Sequence, residues 1–111
     1  NYDYATIKYS QTPTNIYQAT TELPEKYSLL QNYPNPFNPS TKISWQSPVS
    51  SHQSLKVYDV LGNEVATLID EYKPAGTYEI EFDARNFSSG IYFYKLQTGS
   101  FVDSKKMIYL K

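Results

Sequence analysis

The sequence predicts an all-β protein with two antiparallel sheets packed face to face. Three observations carry this. Apolar and polar residues alternate over short segments spaced roughly ten residues apart, the period of half-buried strands. No segment shows the 3.6-residue period of an amphipathic helix. The segments are separated by Gly, Pro, Asn and Asp, the residues that tight turns require.

Residues 1–10 alternate, with Tyr2, Tyr4 and Thr6 on one face and Ala5, Ile7 and Tyr9 on the other. One strand alone buries neither face. The segment is expected to be the stump of an upstream domain, and it resembles the closing strand of a bacterial β-propeller repeat; a β-prone tail is the other reading. Residues 11–26 have no period and are rich in Thr, Pro, Gln and Glu, the composition of a linker. Residues 27–111 then form the one domain.

Tyr33 to Thr41 reads Tyr-Pro-Asn-Pro-Phe-Asn-Pro-Ser-Thr, and the domain is organised around it. Each proline fixes its own φ and removes a backbone donor. Each also pushes the preceding residue, Tyr33, Asn35 or Asn38, out of the helical region. The stretch is neither helix nor central strand. It is expected to be stiff and extended, with Asn35 and Asn38 making side-chain turns. Tyr33 and Phe37 are its expected anchors to the core.

The strands follow in order. Tyr27 to Asn32 carries Leu29 and Leu30. Thr41, Ile43 and Trp45 alternate with Lys42, Ser44 and Gln46. Ser47-Pro48 ends that strand, and Val49 to Gln53 is expected to be loop. Leu55, Val57 and Asp59 oppose Lys56, Tyr58 and Val60. Leu61-Gly62-Asn63-Glu64 is a tight turn that the Asp59 carboxylate can cap. Val65 to Ile69 is a short strand, and Lys73-Pro74-Ala75-Gly76 has turn chemistry. Tyr78, Ile80 and Phe82 alternate with Glu79, Glu81 and Asp83, giving an apolar and an acidic face. Ala84 to Gly90 is a loop with Phe87 dipping inward. Ile91 to Leu96 is nearly all apolar, which reads as a strand buried on both faces or central in its sheet. Thr98-Gly99 is a two-residue hairpin turn. Phe101 and Lys105 to Leu110 close the set. This is the pattern of a seven-stranded immunoglobulin-like antiparallel β-sandwich, with Trp45, Val57, Phe82, Tyr92 and Tyr94 in the shared core.

Composition narrows the function. The formal net charge of −1 argues against an electrostatic partnership with nucleic acid or an anionic membrane. Without cysteine there are no disulfides and no thiolate metal sites. No apolar run approaches the ~18 residues of a membrane span. The chain does not begin with Met and has no signal peptide, so it is expected to be the C-terminal part of something longer, with any export signal upstream.

No residue pattern points to catalysis. His52, the only histidine, sits in a polar stretch and reads as a solvated loop residue rather than a ligand or base. Asp59, Asp70 and Asp83 have no calcium-loop spacing and read as turn caps and solvated groups. The tyrosines read as cross-strand pairs and core fillers rather than a sugar platform. Asn86-Phe87-Ser88 matches a glycosylation acceptor, and Asn35-Pro36-Phe37 resembles an endocytic adaptor ligand; both read as chance. No nucleophile has a base at motif spacing and no Gly-rich phosphate loop exists. The expectation is a protein that is not an enzyme and takes no cofactor or metal.

Five motifs in fixed order resemble one family. They are Tyr33 to Thr41, Val57-Tyr58-Asp59-Val60-Leu61-Gly62-Asn63-Glu64-Val65, Ala75-Gly76-Thr77-Tyr78, Ser89-Gly90-Ile91-Tyr92-Phe93-Tyr94-Lys95-Leu96, and Lys105-Lys106-Met107-Ile108-Tyr109-Leu110-Lys111. Together they resemble the type A C-terminal sorting domain of bacterial type IX (Por) secretion cargo, over residues 27–111. The immunoglobulin-like domain of flagellar hook-capping proteins shares parts of the pattern. Phe87, where Leu is usual, and Tyr109 depart from the commonest form. The resemblance implies a secretion signal that carries an attached cargo through the periplasm and across the outer membrane. Its implied partners are the outer-membrane secretion shuttle and sortase proteins and the upstream cargo domain. The sortase would cut in the linker and leave the cargo at the cell surface or secreted. By the same resemblance the recognition surface would include Tyr33, Pro34, Asn35, Pro36, Phe37, Gly90, Ile91, Tyr92, Lys105, Lys106 and Lys111. A retained adhesive or structural sandwich, binding carbohydrate or protein at the cell surface, is the alternative.

Overall fold

The computed structural model describes residues 23–111. The upstream stump at residues 1–10 and the linker up to residue 22 lie outside the described residues. Seven strands follow: β1 (Ser28–Leu29), β2 (Ser40–Ser47), β3 (Ser51–Tyr58), β4 (Glu64–Lys73), β5 (Gly76–Asp83), β6 (Gly90–Thr98) and β7 (Phe101–Tyr109). They form a three-stranded sheet in the order β1-β2-β5 and a four-stranded sheet in the order β4-β3-β6-β7. Every pair of neighbouring strands is antiparallel.

The period of two decides which side chains meet. In the β2/β5 pair Thr41, Ile43 and Trp45 lie opposite Phe82, Ile80 and Tyr78. In the β3/β6 pair Leu55 and Val57 lie opposite Leu96 and Tyr94. These inward faces close on each other, and Trp45, Val57, Phe82, Tyr92 and Tyr94 are all buried as expected. Burying each such side chain contributes roughly 1.5–3 kcal/mol. Within the three-stranded sheet Trp45 stacks on Tyr78 at 5.8 Å, and Phe87 knits the layers by dipping between Phe82 (5.6 Å) and Tyr92 (5.9 Å). The Asp59 cap forms as expected, its Oδ1 accepting from the amides of Leu61 (2.9 Å) and Asn63 (3.0 Å). Gly62, at φ 88, makes that turn possible.

Three expectations need correction, and a fourth, for β6, is settled in favour of its second alternative. Ser51 to Gln53 is strand, not loop, because β3 starts at Ser51. Its inward polar residues find distant partners: Trp45 Nε1 donates to Gln53 Oε1 at 2.9 Å, and the hydroxyls of Ser47 and Ser51 both meet that of Thr98, while Gln53 Nε2 is buried with no partner among the described residues. A polar run whose hydrogen bonds come from distant strands carries no local strand signal. The hairpin turn is Gly99-Ser100, since Thr98 still pairs with Phe101; the positive φ of 60 at Gly99 sets the turn. β6 is central in its sheet but not buried on both faces, because Ile91 and Phe93 face outward and are exposed. The segment read as Val65 to Ile69 extends over Glu64–Lys73, held by pairing to β3. Pro74-Ala75 then carries the chain from one sheet to the other.

Candidate recognition surface

The Pro-rich segment is a strap between the sheets. At its start Tyr33 pairs with Lys42 of β2, amide to carbonyl in both directions at 3.0 and 2.9 Å. The Pro34 carbonyl accepts from the Thr41 hydroxyl (2.8 Å) and the Asn32 side-chain amide (3.1 Å). The chain then crosses to the other sheet. The Phe37 amide donates to the Ile108 carbonyl at 3.0 Å, and the Leu110 amide donates to the Phe37 carbonyl at 3.1 Å. On the way back the Pro39 carbonyl accepts from the Ala84 amide at 2.8 Å. The prolines suit this route because they leave no amide in need of a partner. All three X-Pro bonds are cis.

The two expected anchors behave differently. Phe37 is 2% exposed, stacks on Tyr109 at 5.2 Å and meets Phe82 edge-on at 6.2 Å. Tyr33 is 79% exposed and anchors nothing with its ring. The reason is register: Lys42 points away from the core, so its cross-strand partner does too. Asn35 does not make the expected side-chain turn at this contact; its Oδ1 accepts the Ile108 amide of β7 at 3.0 Å.

Tyr94 clips the strap from below, a role beyond its place in the predicted core. Its hydroxyl donates to the Leu30 carbonyl (2.7 Å) and accepts from the Asn32 amide (2.8 Å). Burial pushes its pKa up to about 12, against the pull of the Asn32 amide. The only signal in the sequence was a tyrosine on a core face, since a buried phenol needs a hydrogen-bond partner.

The structure places most of the expected recognition residues along one border. The strap meets β7 through Asn35 and Phe37, and β7 meets the start of β6 through the pairs Tyr109–Gly90 and Ile108–Ile91. Lys106 is exposed, with its carbonyl accepting from Gln31 Nε2 at 2.7 Å. Lys111 is exposed and its amide donates to the Ser89 hydroxyl at 3.0 Å. Lys105 is on the inward side and half-buried along its stem. Phe37 and Tyr92 enter the core, so their side chains are not presented to a partner. Tyr33 and Pro34 sit apart against β2, beside a shallow groove of about 260 Å³ shared with Lys42 and Glu81.

The groups considered for chemistry do not converge. His52 lies in β3 rather than in a loop, and its Nε2 meets Asp70 Oδ1 across the β3/β4 pair. Asp59 caps its turn, and Asp83 is held by Arg85 through Nη2 (2.7 Å) and Nε (3.1 Å). That hydrogen-bonded guanidinium keeps the Asp83 carboxyl below its ordinary pKa, but the pair is exposed and contributes little to stability. Among the described residues no three His, Asp or Glu side chains are placed to share a metal ion. No helix among them is long and apolar enough to cross a membrane.

Neither a curated protein nor a solved structure matches the chain. A family model, the secretion system C-terminal sorting domain, matches residues 31–110. That span begins just ahead of the strap, takes in six of the seven strands and ends one residue past β7. With the match extending over most of its length, this chain belongs to the family of secretion system C-terminal sorting domains.

Proposed function

We propose that the sandwich is the folded address label of a type IX secretion cargo, read at the outer membrane and then removed by a sortase as the cargo reaches the cell surface. The carrying observation is that the matched span and the strapped sandwich coincide. A rigid domain offers the same composite surface whatever cargo precedes it. Its partners would be the outer-membrane shuttle and the sortase, with the periplasm crossed on the way. The domain would supply surface and no chemistry: it would act without cofactor or catalytic residues. The border formed by Asn35, Pro36, Gly90, Ile91, Lys106 and Lys111 is the part of the expected recognition set best placed for contact.

The immunoglobulin-like reading has topological support. The order β1-β2-β5 with β4-β3-β6-β7 differs from the constant-type immunoglobulin arrangement only in the fourth strand, which sits beside the third instead of the fifth.

The test is a reporter fused ahead of residues 27–111, expressed in hosts with and without the type IX machinery. Export only in the host with the machinery is expected, and export in neither would overturn the reading. Intact mass of the surface product separates removal from retention: a product still carrying residues 27–111 favours the adhesive alternative.

A further inference from the structure

The outer face of the four-stranded sheet differs from an ordinary solvated sheet face. Register aligns Tyr58, Phe93 and Lys106 in one row across β3, β6 and β7, and Lys56, Lys95 and Ser104 in the next. Ile91 and Ile108 form a third row. Phe93 and Ile91 are exposed, at 37% and 40%, and Val60 at the neighbouring turn is more so. A shallow pocket of about 300 Å³ opens between Tyr58, Val60, Gly62, Phe93 and Lys95.

Its charge is as unusual as its apolarity. Lys56 and Lys95 are directly opposite across the β3/β6 pair, an arrangement that costs stability by like-charge repulsion. Glu64 lies 3.7 Å from Lys56, and Lys95 rests over the Tyr58 ring at 5.4 Å. Asp59, at the edge of the pocket, is turned to the amides of its own turn. Lys106 adds a further exposed cation. The opposite face of the sandwich is the reverse: Glu79, Glu81 and Asp83 project from β5 beside Lys42 of β2.

We propose that this outer face of β3, β6 and β7 docks a protein partner whose matching surface has an apolar centre flanked by carboxylates. The cations call for anionic groups: Glu64 offsets Lys56 in part, but among the described residues neither Lys95 nor Lys106 is in an ion pair with a carboxylate, and a partner's carboxylates would complement them. The aliphatic side chains of Ile91, Ile108 and Val60 beside Phe93 select a protein over a glycan. Sugars stack on flat aromatic faces, whereas branched aliphatic groups are buried profitably only against other apolar groups. The inference rests on the sorting-signal reading above and names the chemistry of the surface that receives it.

The test uses the same reporter fusion in a type IX host, with a melting curve for each variant. Lys95→Glu with Lys106→Glu, and separately Phe93→Thr, are expected to reduce export about tenfold or more without moving the melting temperature. Glu79→Gln, on the opposite face, is expected to export like the parent. If Phe93→Thr does not fold, Tyr58→Thr takes its place. Face variants that fold and export at the parental level overturn the proposal. So does export lost on charge reversal but retained by Phe93→Thr, because charge alone then suffices, as it would for a polyanionic glycan. A parent fusion that is not exported at all sinks the sorting-signal reading itself, an outcome distinct from both.

Discussion

The two lateral sides of the sandwich are finished in opposite ways. On one side the strap spans the gap from β2 to β7, and the outer edge of β7 receives Gln31, Asn35 and Phe37. On the other side β4 and β5, joined through Pro74-Ala75, are the outermost strands of their sheets, with no strand beyond them among the described residues. Burial follows this difference. Phe37, Met107 and Tyr109 beside the strap are buried, whereas Ala66, Leu68, Ile69, Tyr78 and Ile80 on the open side are only partly covered. The lesson is that an edge strand does not need another strand to be closed: a chain with few free amides can satisfy it. The open edges are protected differently. β4 carries two register irregularities and the charged residues Asp70, Glu71 and Lys73, and β5 carries Glu79, Glu81 and Asp83.

The largest way to break the comparison is to delete Met107 to Lys111. This removes two buried side chains and the strap's attachment, and uncovers part of the β6 edge. Loss of the cooperative melting transition is expected; a chain that still melts cooperatively would show that the strap side is dispensable. Phe37→Ala comes next, at roughly 3–5 kcal/mol, the usual cost of a buried aromatic. Ile80→Ala on the open side should cost about 1–2 kcal/mol, because a half-buried side chain has less area to lose. Urea unfolding of both variants checks this, and a larger loss for Ile80 would reverse the comparison.

Tyr94→Phe sharpens the contrast chemically. It leaves the Asn32 amide without its acceptor and the Leu30 carbonyl without its donor, so about 1–3 kcal/mol should be lost. The pH dependence is a second readout. Free tyrosine ionises near ~10, and the folded value at Tyr94 is raised to about 12. The folded state therefore favours the neutral phenol. Its contribution is complete below pH ~10 and is lost as pH rises through about 12. The stability difference between parent and Tyr94→Phe should shrink over that window; a constant difference would mean that burial does not hold the phenol neutral in the folded state.

The smallest expected effect is that of Lys105, Lys106 and Lys111 changed together to Ala, within about 0.5 kcal/mol each. The melting curve should barely move while reporter export falls. Normal export would make these cations solubilising groups only and shift attention to the strap.

What the sequence determined by itself was local. Alternation at a period of two is a property of pleated backbone geometry. It marked β2, β5 and the second half of β3, and with the apolar run of β6 it picked out Trp45, Val57, Phe82, Tyr92 and Tyr94. Proline chemistry excluded helix and central strand from Tyr33 to Thr41, and Asp59 announced its own cap. The ordered motifs also pointed to the family. What only the tertiary structure decided was everything set by partners far away in the chain. The polar start of β3 is a strand because it pairs with β4 and β6 and because Trp45 and Thr98 meet Gln53 Oε1 and the Ser51 hydroxyl. Phe37 turns inward and Tyr33 outward because one meets β7 and the other meets an outward-facing lysine of β2. The row of lysines and aromatics on the outer face exists because register brings β3, β6 and β7 side by side. A side chain's alternation is written in its neighbours along the chain; its partner across the sheet is chosen by the packing of the whole sandwich.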